Sequence, residues 1–277
     1  MPNLNSQSRW ALILAGGDGT RLRPLTREIA GDDRPKQFCR VVGSETLLEQ
    51  TQRRVARLIS PERTLAVVVG RHERFYAPLL SDVPAPRLVI QPDNRGTAPA
   101  ILYGLLRISA LTAKGTVARE RTAWCCLVVP HSGEVSYGWI EPGEAMTTDL
   151  FRVRRFWEKP SLGVARTLLA RGCLWNSFVM VGGMAALLAL IKGAVPQLFE
   201  RFVAVRPRVA TPHEDEVVRP LYRQLESTEF SREVLVRSPD NLAVLRLKGI
   251  DWSDLGEPQR VMATLARIGS ECRLTSA

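Results

Sequence analysis

A glycine-rich turn near the start of the sequence is the clearest sign of chemistry. An apolar run leads into Leu-Ala-Gly-Gly-Asp-Gly-Thr-Arg-Leu-Arg-Pro-Leu, which spans residues 14–25. Glycines let backbone N–H groups approach phosphate oxygens with no Cβ in the way, and Arg21 could add a bidentate charge to the same phosphates. Lys36 follows in Arg-Pro-Lys-Gln-Phe and could fold back over the same anion. The segment therefore predicts a phosphate site, although its glycines are also typical of a strand-to-helix turn with positive φ.

The turn differs from the two common nucleotide motifs. It lacks the Gly-Lys-Ser/Thr ending of a Walker A loop, and Leu22 stands where a dinucleotide fingerprint has its third glycine. The turn by itself therefore does not identify the phosphate-bearing ligand.

Strands and helices that alternate along the first half must position this turn. Buried strands are predicted at residues 10–14, 65–69, 87–90 and 123–129, and helices at 45–59 and 98–110. Such alternation favours an α/β fold with a Rossmann-like, mostly parallel mixed sheet and helices on both faces. The second half is more mixed, with strands predicted at 151–157, 178–181 and 242–247 and helices at 162–171, 184–192, 217–226 and 257–268.

Length and charge narrow the classes of function. The 277 residues suffice for a full core, and 45% hydrophobic residues argue against disorder. Lys plus Arg number 38 against 28 Asp plus Glu, a net charge of +10 that favours anionic partners or simply a solvated surface. The net charge is the only feature that favours nucleic-acid binding. Since the sequence has no helix-turn-helix, zinc or RNA-recognition signature, no nucleic-acid partner is predicted.

The cysteines and apolar stretches bear on location. Five cysteines, an odd number with no zinc-site spacing and no disulfide framework, favour a reducing compartment. Residues 1–9 lack a signal-peptide apolar region, and the longest apolar stretch, 178–191, is short and broken by Gly182 and Gly183. These features predict a cytoplasmic protein with no membrane partner.

Six motifs in order carry a resemblance to a known family. The glycine-rich turn with Arg-Pro-Lys-Gln-Phe is similar to the signature of the sugar-phosphate nucleotidyltransferases, and most of all to their mannose-1-phosphate guanylyltransferases. The others are Gln-Pro-Asp-Asn-Arg-Gly-Thr-Ala-Pro-Ala at 91–100, Tyr-Gly-Trp-Ile-Glu at 137–141, Phe-Trp-Glu-Lys-Pro at 156–160, Trp-Asn-Ser-Phe at 175–178 and Trp-Ser-Asp-Leu-Gly at 252–256. The resemblance implies the nucleotide-diphospho-sugar transferase type of fold in one domain, residues 1–277. Residues 10–130 would form its nucleotide-binding half and residues 137–268 its sugar-phosphate-binding half.

The resemblance also implies a reaction and roles for residues. A phosphate oxygen of mannose 1-phosphate would attack the α-phosphorus of GTP, giving GDP-mannose and pyrophosphate. The physics of the residues does not separate GTP from another nucleoside triphosphate, nor mannose from another sugar. The catalytic residues would be Arg21 and Lys36. Nucleotide contacts would come from Leu14, Ala15, Gly16, Gly17, Gly19, Thr20, Gln91, Asn94, Gly96 and Thr97, and sugar-phosphate contacts from Gly138, Glu158, Lys159 and Asn176.

The metal site is where the sequence departs from the family. Asp254 matches one family ligand for Mg²⁺, the implied cofactor. The second family aspartate lies in a Pro-Ser-Asp-His-like motif, but here Pro130-His131 leads to Tyr137 with no aspartate between. A parallel crossover needs about a dozen residues or more, so a central βα segment near 130–136 is predicted to be missing. Glu134 could supply a substitute carboxylate, and the cluster His213 to Glu216 is predicted to be a solvated helix start.

Two readings of function remain open. Arg21, Lys36, Glu158, Lys159, Asn176 and Asp254 favour an active enzyme. The missing aspartate favours a degenerate paralogue that binds nucleotide with weak or no turnover. The sequence permits a homo-oligomer without predicting its size.

Overall fold

The parallel strands of the first half form one three-stranded sheet. The computed structural model describes residues 9–112, 123–130, 132–250 and 252–267. Strands β1 (Ala11–Leu14), β2 (Thr64–Val69) and β3 (Leu88–Gln91) lie in the order β1-β2-β3, all parallel. Five consecutive residues of β2 are buried, which is typical of a parallel strand covered on both faces. Leu65 and Val67 pack into one core while Ala66 and Val68 pack into another, so the sheet has helices on both sides.

Four helices surround this sheet. They are α1 (Arg23–Ala30), α2 (Leu47–Ala56), the single turn α3 (Glu73–Tyr76) and α4 (Thr97–Leu111). A capping box begins α2, because Glu49 N–H donates to Thr46 Oγ1 at 3.2 Å while Thr46 N–H donates to Glu49 Oε2 at 2.7 Å. Most residues of α4 are buried, so this helix forms the centre of the larger core.

The remaining strands close into a second sheet. They are β4 (Ala123–Val128), β5 (Gly138–Ala145), β6 (Leu150–Glu158), β7 (Leu174–Gly182) and β8 (Leu242–Leu247), in the cyclic order β4-β7-β5-β6-β8. Every pair is antiparallel except the parallel pair β4–β8. The predicted α/β class, with a parallel sheet and helices, is confirmed. Its strands nevertheless divide between two sheets, because the pattern along a strand does not specify which strand pairs with it.

The short link from β4 to β5 is explained by register. Val128 at the end of β4 and Trp139 at the start of β5 both lie opposite Trp175 of β7. The link therefore only has to pass over the intervening strand β7, a distance of two strand spacings or about 10 Å. It does not have to run back along the sheet. No helix or strand occurs in its described residues, 129–130 and 132–137, as expected from the missing βα segment.

Helices of the second half pack around both sheets. They are α5 (Leu162–Ala170), α6 (Met184–Ala194), α7 (Pro196–Val205), α8 (Glu214–Gln224) and α9 (Pro258–Arg267). The larger core contains residues of both sheets, such as Val67 and Val244. Within the described part of the chain, no helix has the length and apolar character that crossing a membrane requires.

One prediction about α8 is wrong. Glu214, at its first turn, is only 8% exposed instead of solvated. Its carboxylate accepts hydrogen bonds from Tyr103 Oη at 2.6 Å and from Arg107, both on α4. A charge can be buried when it is paired and hydrogen-bonded in this way, which the acidic run alone did not reveal.

Candidate functional site

The glycine-rich turn lies at the carboxyl end of the parallel sheet. Ala15 N–H extends the β1 ladder by donating to Val67 O at 2.7 Å. A Cβ on Gly16 would lie 2.8 Å from Gln91 Nε2, so only glycine fits against that amide. Gly19 has φ +59°, and a Cβ there would lie 3.0 Å from Lys36 N. Gly17 has nothing within 4 Å of its Cβ position, so its backbone faces open space, as a phosphate-binding turn requires.

Two side chains that the sequence analysis did not assign hold the turn in shape. Gln37 Nε2 donates to Ala15 O at 2.9 Å and to Gly17 O at 2.7 Å. Asp18 pairs with Arg71 and lies 3.3 Å from His72 Nε2. Burial raises the pKa of Asp18, but hydrogen bonds from Asn94 and Arg71 outweigh it, so that pKa is held below its usual range. Their only sequence signal was their place inside the two motifs.

The predicted catalytic cations Arg21 and Lys36 lie beside residues 254–257, the segment that contains the predicted metal ligand Asp254. Helix α9 packs on α1 through Val261 and Leu265, which brings residues 254–257 beside the turn. Arg21 Nη1 donates to Glu257 Oε1 at 3.0 Å. Lys36 Nζ donates to the backbone oxygens of Asp254 at 2.5 Å and Leu255 at 3.2 Å.

The environment of Lys36 weakens its proton affinity. Burial lowers the pKa of Lys36, the charge of Asp254 raises it, and the nearby Arg21 and Arg260 lower it again. The net effect is a pKa below the ordinary lysine value. A half-buried ammonium beside two guanidinium groups is a strong site for an anion, because a phosphate would relieve both the repulsion and the desolvation.

The predicted sugar residues lie in one row across three strands. Gly138 of β5 pairs with Glu158 of β6, and Trp139 pairs with Trp175 of β7. Because β5 and β7 are antiparallel, the next position places Gly138 opposite Asn176. A Cβ on Gly138 would lie 3.1 Å from Glu158 Oε2 and 2.8 Å from Phe156 Cζ, so these two side chains pack directly against the glycine.

Both polar side chains of this row, Glu158 and Asn176, carry an atom without a partner among the described residues. Glu158 Oε2 and Asn176 Nδ2 are buried with no hydrogen bond among the described residues. Asn176 Oδ1 accepts from Phe178 N–H at 3.1 Å in a bulge of β7, which leaves Nδ2 as the free end of the amide. Burial raises the pKa of Glu158, and Lys159, whose Nζ is 3.7 Å from Glu158 Oε1, lowers it only in part. An unpaired acceptor and an unpaired donor in one row suit a ligand hydroxyl group.

Leu14 and Thr20 are exposed at the turn, whereas four of the other predicted nucleotide residues are engaged within the protein. Gln91 is 2% exposed, and its Oε1 accepts from Tyr222 Oη at 3.2 Å. Asn94 Nδ2 donates to Asp18 Oδ2 at 3.0 Å. Gly96 has φ +86° and lies against the backbone of Thr228. Thr97 Oγ1 donates to Glu229 Oε2 at 3.0 Å and accepts from Phe230 N–H at 2.8 Å. Through these contacts Asn94 supports the glycine-rich turn, and Gly96 and Thr97 hold the 228–230 segment.

The described side chains do not fit a protein-held divalent cation at Asp254. No group of three or more His, Cys, Asp and Glu side chains comes together in the described part of the chain. Asp254 Oδ1 already accepts from Gly256 N–H at 2.9 Å and Arg260 Nη1 at 2.7 Å. Glu134, the predicted substitute, accepts from Ser136 N–H at 3.0 Å and Oγ at 2.6 Å instead of joining Asp254.

Comparisons with known proteins agree with the motifs. Residues 10–117 match the family model described as nucleotidyl transferase. The mannose-1-phosphate guanylyltransferase RfbM of Salmonella typhimurium is 31% identical over 68% of this chain and 45% of its own length. Mannose-1-phosphate guanylyltransferase 2 of Escherichia coli O157:H7 is 25% identical over 95% of this chain and 61% of its own. A crystal structure described as mannose-1-phosphate geranyltransferase from Thermus thermophilus matches with TM-score 0.78 and 26% identity, over 96% of this chain and 80% of that one.

The fold and these likenesses point to one class. Residues 10–117 carry the nucleotidyl transferase domain, and the resemblance to the sugar-phosphate nucleotidyltransferases predicted from the motifs is confirmed. Within that class the chain is similar to proteins named mannose-1-phosphate guanylyltransferases, and it spans 45% and 61% of the length of the two curated relatives above.

Proposed function

We propose that this chain transfers a guanylyl group from GTP to mannose 1-phosphate, giving GDP-mannose and pyrophosphate. The observation that carries the proposal is the row Asn176–Gly138–Glu158, in which a buried amide donor and a buried carboxylate acceptor have no partners among the described residues. The family supports nucleotidyl transfer to a sugar phosphate, and the names of the relatives support the choice of GTP and mannose. A cytoplasmic location, a homo-oligomer and the division at residues 130–137 stay predictions of the sequence.

The phosphate turn would receive the triphosphate. Backbone N–H groups around Gly17 would donate to phosphate oxygens, and the Cβ position of Gly17 has nothing within 4 Å that would hinder their approach. Arg21 Nη groups, on a side chain 56% exposed, could leave Glu257 and move onto the phosphates with little loss, because an exposed ion pair contributes little. Lys36 would hold a second oxygen from its half-buried position.

The sugar phosphate would lie along the row of β5, β6 and β7. Glu158 Oε2 would accept a hydroxyl proton, and Asn176 Nδ2 would donate to a hydroxyl oxygen. Lys159, which follows Glu158 and has φ +50°, would hold the sugar phosphate. A phosphate oxygen then attacks the α-phosphorus in line as the bond to pyrophosphate breaks, and positioning with charge neutralisation supplies most of the rate. Mg²⁺ stays a prediction. No step is assigned to it, because Asp254 is already paired.

The alternative is a chain that binds nucleotide with weak or no turnover. The observation that favours it is the single carboxylate at the predicted metal site, which the structure shows in an ion pair with Arg260. Binding and turnover must therefore be measured separately.

The proposal is tested by pyrophosphate release with four nucleoside triphosphates and several sugar 1-phosphates, each with and without Mg²⁺. We expect release with GTP and mannose 1-phosphate above every other pair. Binding of GTP by calorimetry without release would favour the alternative, and neither binding nor release would contradict both.

A matched pair of variants separates the sugar site from a general loss of charge. Asn176→Ala removes the free amide and should raise KM for mannose 1-phosphate more than KM for GTP. Glu144→Gln changes an exposed carboxylate on the same sheet and should leave both unchanged. Equal effects of Asn176→Ala on both substrates would contradict the placement of the sugar.

A further inference from the structure

Arg260 of α9 is the most fully bonded cation near the phosphate turn. Its side chain is only 14% exposed, and Nη1 donates to Asp254 Oδ1 at 2.7 Å. Nη2 donates to Ser136 Oγ at 2.7 Å and lies 2.8 Å from Glu257 Oε1. The guanidinium also lies over the Tyr137 ring, 4.8 Å from its centroid. Four groups from two distant segments therefore fix its position.

This arrangement occupies Oδ1, one of the two carboxylate oxygens of Asp254. Oδ1 of Asp254 has two lone pairs, and the N–H groups of Gly256 and Arg260 take both at 2.9 and 2.7 Å. The Tyr137 hydroxyl adds a third, longer contact at 3.4 Å. A further ligand on Oδ1 would have to displace one of these donors.

Electrostatic repulsion also disfavours a divalent cation at Asp254 Oδ1. A divalent cation binds a carboxylate oxygen at about 2.1 Å, so one on Oδ1 would lie within about 5 Å of Arg260 Nη1. The guanidinium is always protonated and would repel it. The carboxylates that could compensate are engaged elsewhere, Glu257 with Arg21 and Arg260, and Glu134 with Ser136.

We propose that Arg260 is the resident cation of Asp254: its guanidinium neutralises the carboxylate that matches a metal ligand of the resembling family, and it competes with divalent cations for that carboxylate. Arg260 is thus a positioning residue that also holds the 254–257 segment against Lys36. The inference rests on the proposed function only in taking the turn and Lys36 for the phosphate site. The charge of bound phosphates is then met at this end by Arg21 and Lys36 side chains, and any Mg²⁺ arrives on the nucleotide.

Terbium luminescence tests the proposal without substrate or turnover. Tb³⁺ binds carboxylate sites of this kind and emits when a nearby aromatic ring is excited, and here the Tyr137 hydroxyl is 3.4 Å from Asp254 Oδ1. Full-length protein is titrated with Tb³⁺ alone, as wild type, Asp254→Asn, Arg260→Gln, Arg260→Lys and the double variant Arg260→Gln with Asp254→Asn. We expect wild type to match Asp254→Asn, because the guanidinium competes with the ion for the carboxylate.

Arg260→Gln should gain a saturable signal with at least about tenfold tighter binding, the double variant should lose it, and Arg260→Lys should resemble wild type. A wild-type signal that Asp254→Asn removes would overturn the proposal, even if the Arg260 variants did not fold. No gain in a folded Arg260→Gln, checked by circular dichroism, would overturn it as well. Because these readouts need no transfer, a failure of the proposed function would leave them unchanged, and GTP binding by calorimetry reports on that function separately.

Discussion

At the scale of single residues, the charged side chains of the candidate site differ in how firmly their contacts hold them. Arg21 has an exposed partner and Lys36 two backbone oxygens, whereas Glu158 has a buried oxygen with no partner. Side chains that make few or weak contacts within the protein are the ones that can reorient to bind a substrate. Substitutions of Arg21 and of Glu158 should therefore affect activity and stability in different ways.

Arg21→Ala should lower turnover by roughly 100- to 1000-fold, the range for removing one preorganised charge donor. Its ion pair with Glu257 is exposed, so the midpoint of thermal unfolding should hardly change. Arg53→Ala is the matched control, because Arg53 pairs with Glu45 at 3.1 Å and is 65% exposed. Turnover of Arg21→Ala equal to that of Arg53→Ala would contradict the role of Arg21.

Glu158→Gln should stabilise the fold in a pH-dependent way. Burial raises the folded-state pKa of Glu158 above its ordinary 4.5, so as pH rises from there only the unfolded chain loses the proton at first. Wild type therefore loses stability relative to the variant through this window, and the difference becomes constant above the raised pKa. Urea unfolding of both proteins across the window, with Glu144→Gln as exposed control, gives the difference. A difference that does not depend on pH would show that Glu158 is not strained by burial.

At the scale of elements, two glycines of helices α4 and α6 differ in backbone conformation and in the space around them. Gly96 caps α4 with φ +86°, and a Cβ there would lie 2.5 Å from Thr228 O. Gly193 lies inside α6 with nothing within 4 Å of its Cβ position. The same substitution should therefore have opposite effects at the two positions.

Gly96→Ala should lower the free energy of unfolding by about 2 kcal/mol or more, because it adds both backbone strain and a clash. Gly193→Ala should raise it by about 0.5–1 kcal/mol, since alanine loses less conformational freedom in a helix. Chemical denaturation of both variants checks the pair. Two effects of the same sign would mean that the contact with Thr228 does not constrain Gly96.

At the scale of the whole molecule, one core joins both sheets. The larger core contains Leu65 and Val67 of β2 together with Ile140 of β5 and Val244 of β8. Neither sheet can lose these contacts alone without exposing apolar surface of the other. The molecule should therefore unfold as one cooperative unit.

Two optical probes test this cooperativity. Five of the six tryptophans follow residue 123 in the sequence, so their fluorescence reports on the second half, while far-ultraviolet circular dichroism reports on all helices. We expect the two urea transitions to have the same midpoint. A separate, earlier fluorescence transition would show that the second sheet unfolds by itself.

The sequence by itself determined most local elements and supplied the residues proposed for the site. Apolar runs located β2 and β8, and helical periodicity located α4, because both signals come from neighbours along the chain. The motifs named Asn176, Gly138 and Glu158, which the structure brings into one row. Element starts were less accurate, since β7 begins four residues before its predicted start and α1 was not predicted.

Only the tertiary structure decided which residues meet at long range. Strand pairing divided the strands between two sheets, and the shared partner Trp175 explained how nine residues connect β4 to β5. Arg260 looks like any arginine of an amphipathic helix, and its bond to Asp254 follows from the packing of α9 on α1. Periodicity and propensity act over a few residues, whereas ion pairs such as Arg260–Asp254 and orphan atoms such as Glu158 Oε2 depend on how whole elements dock.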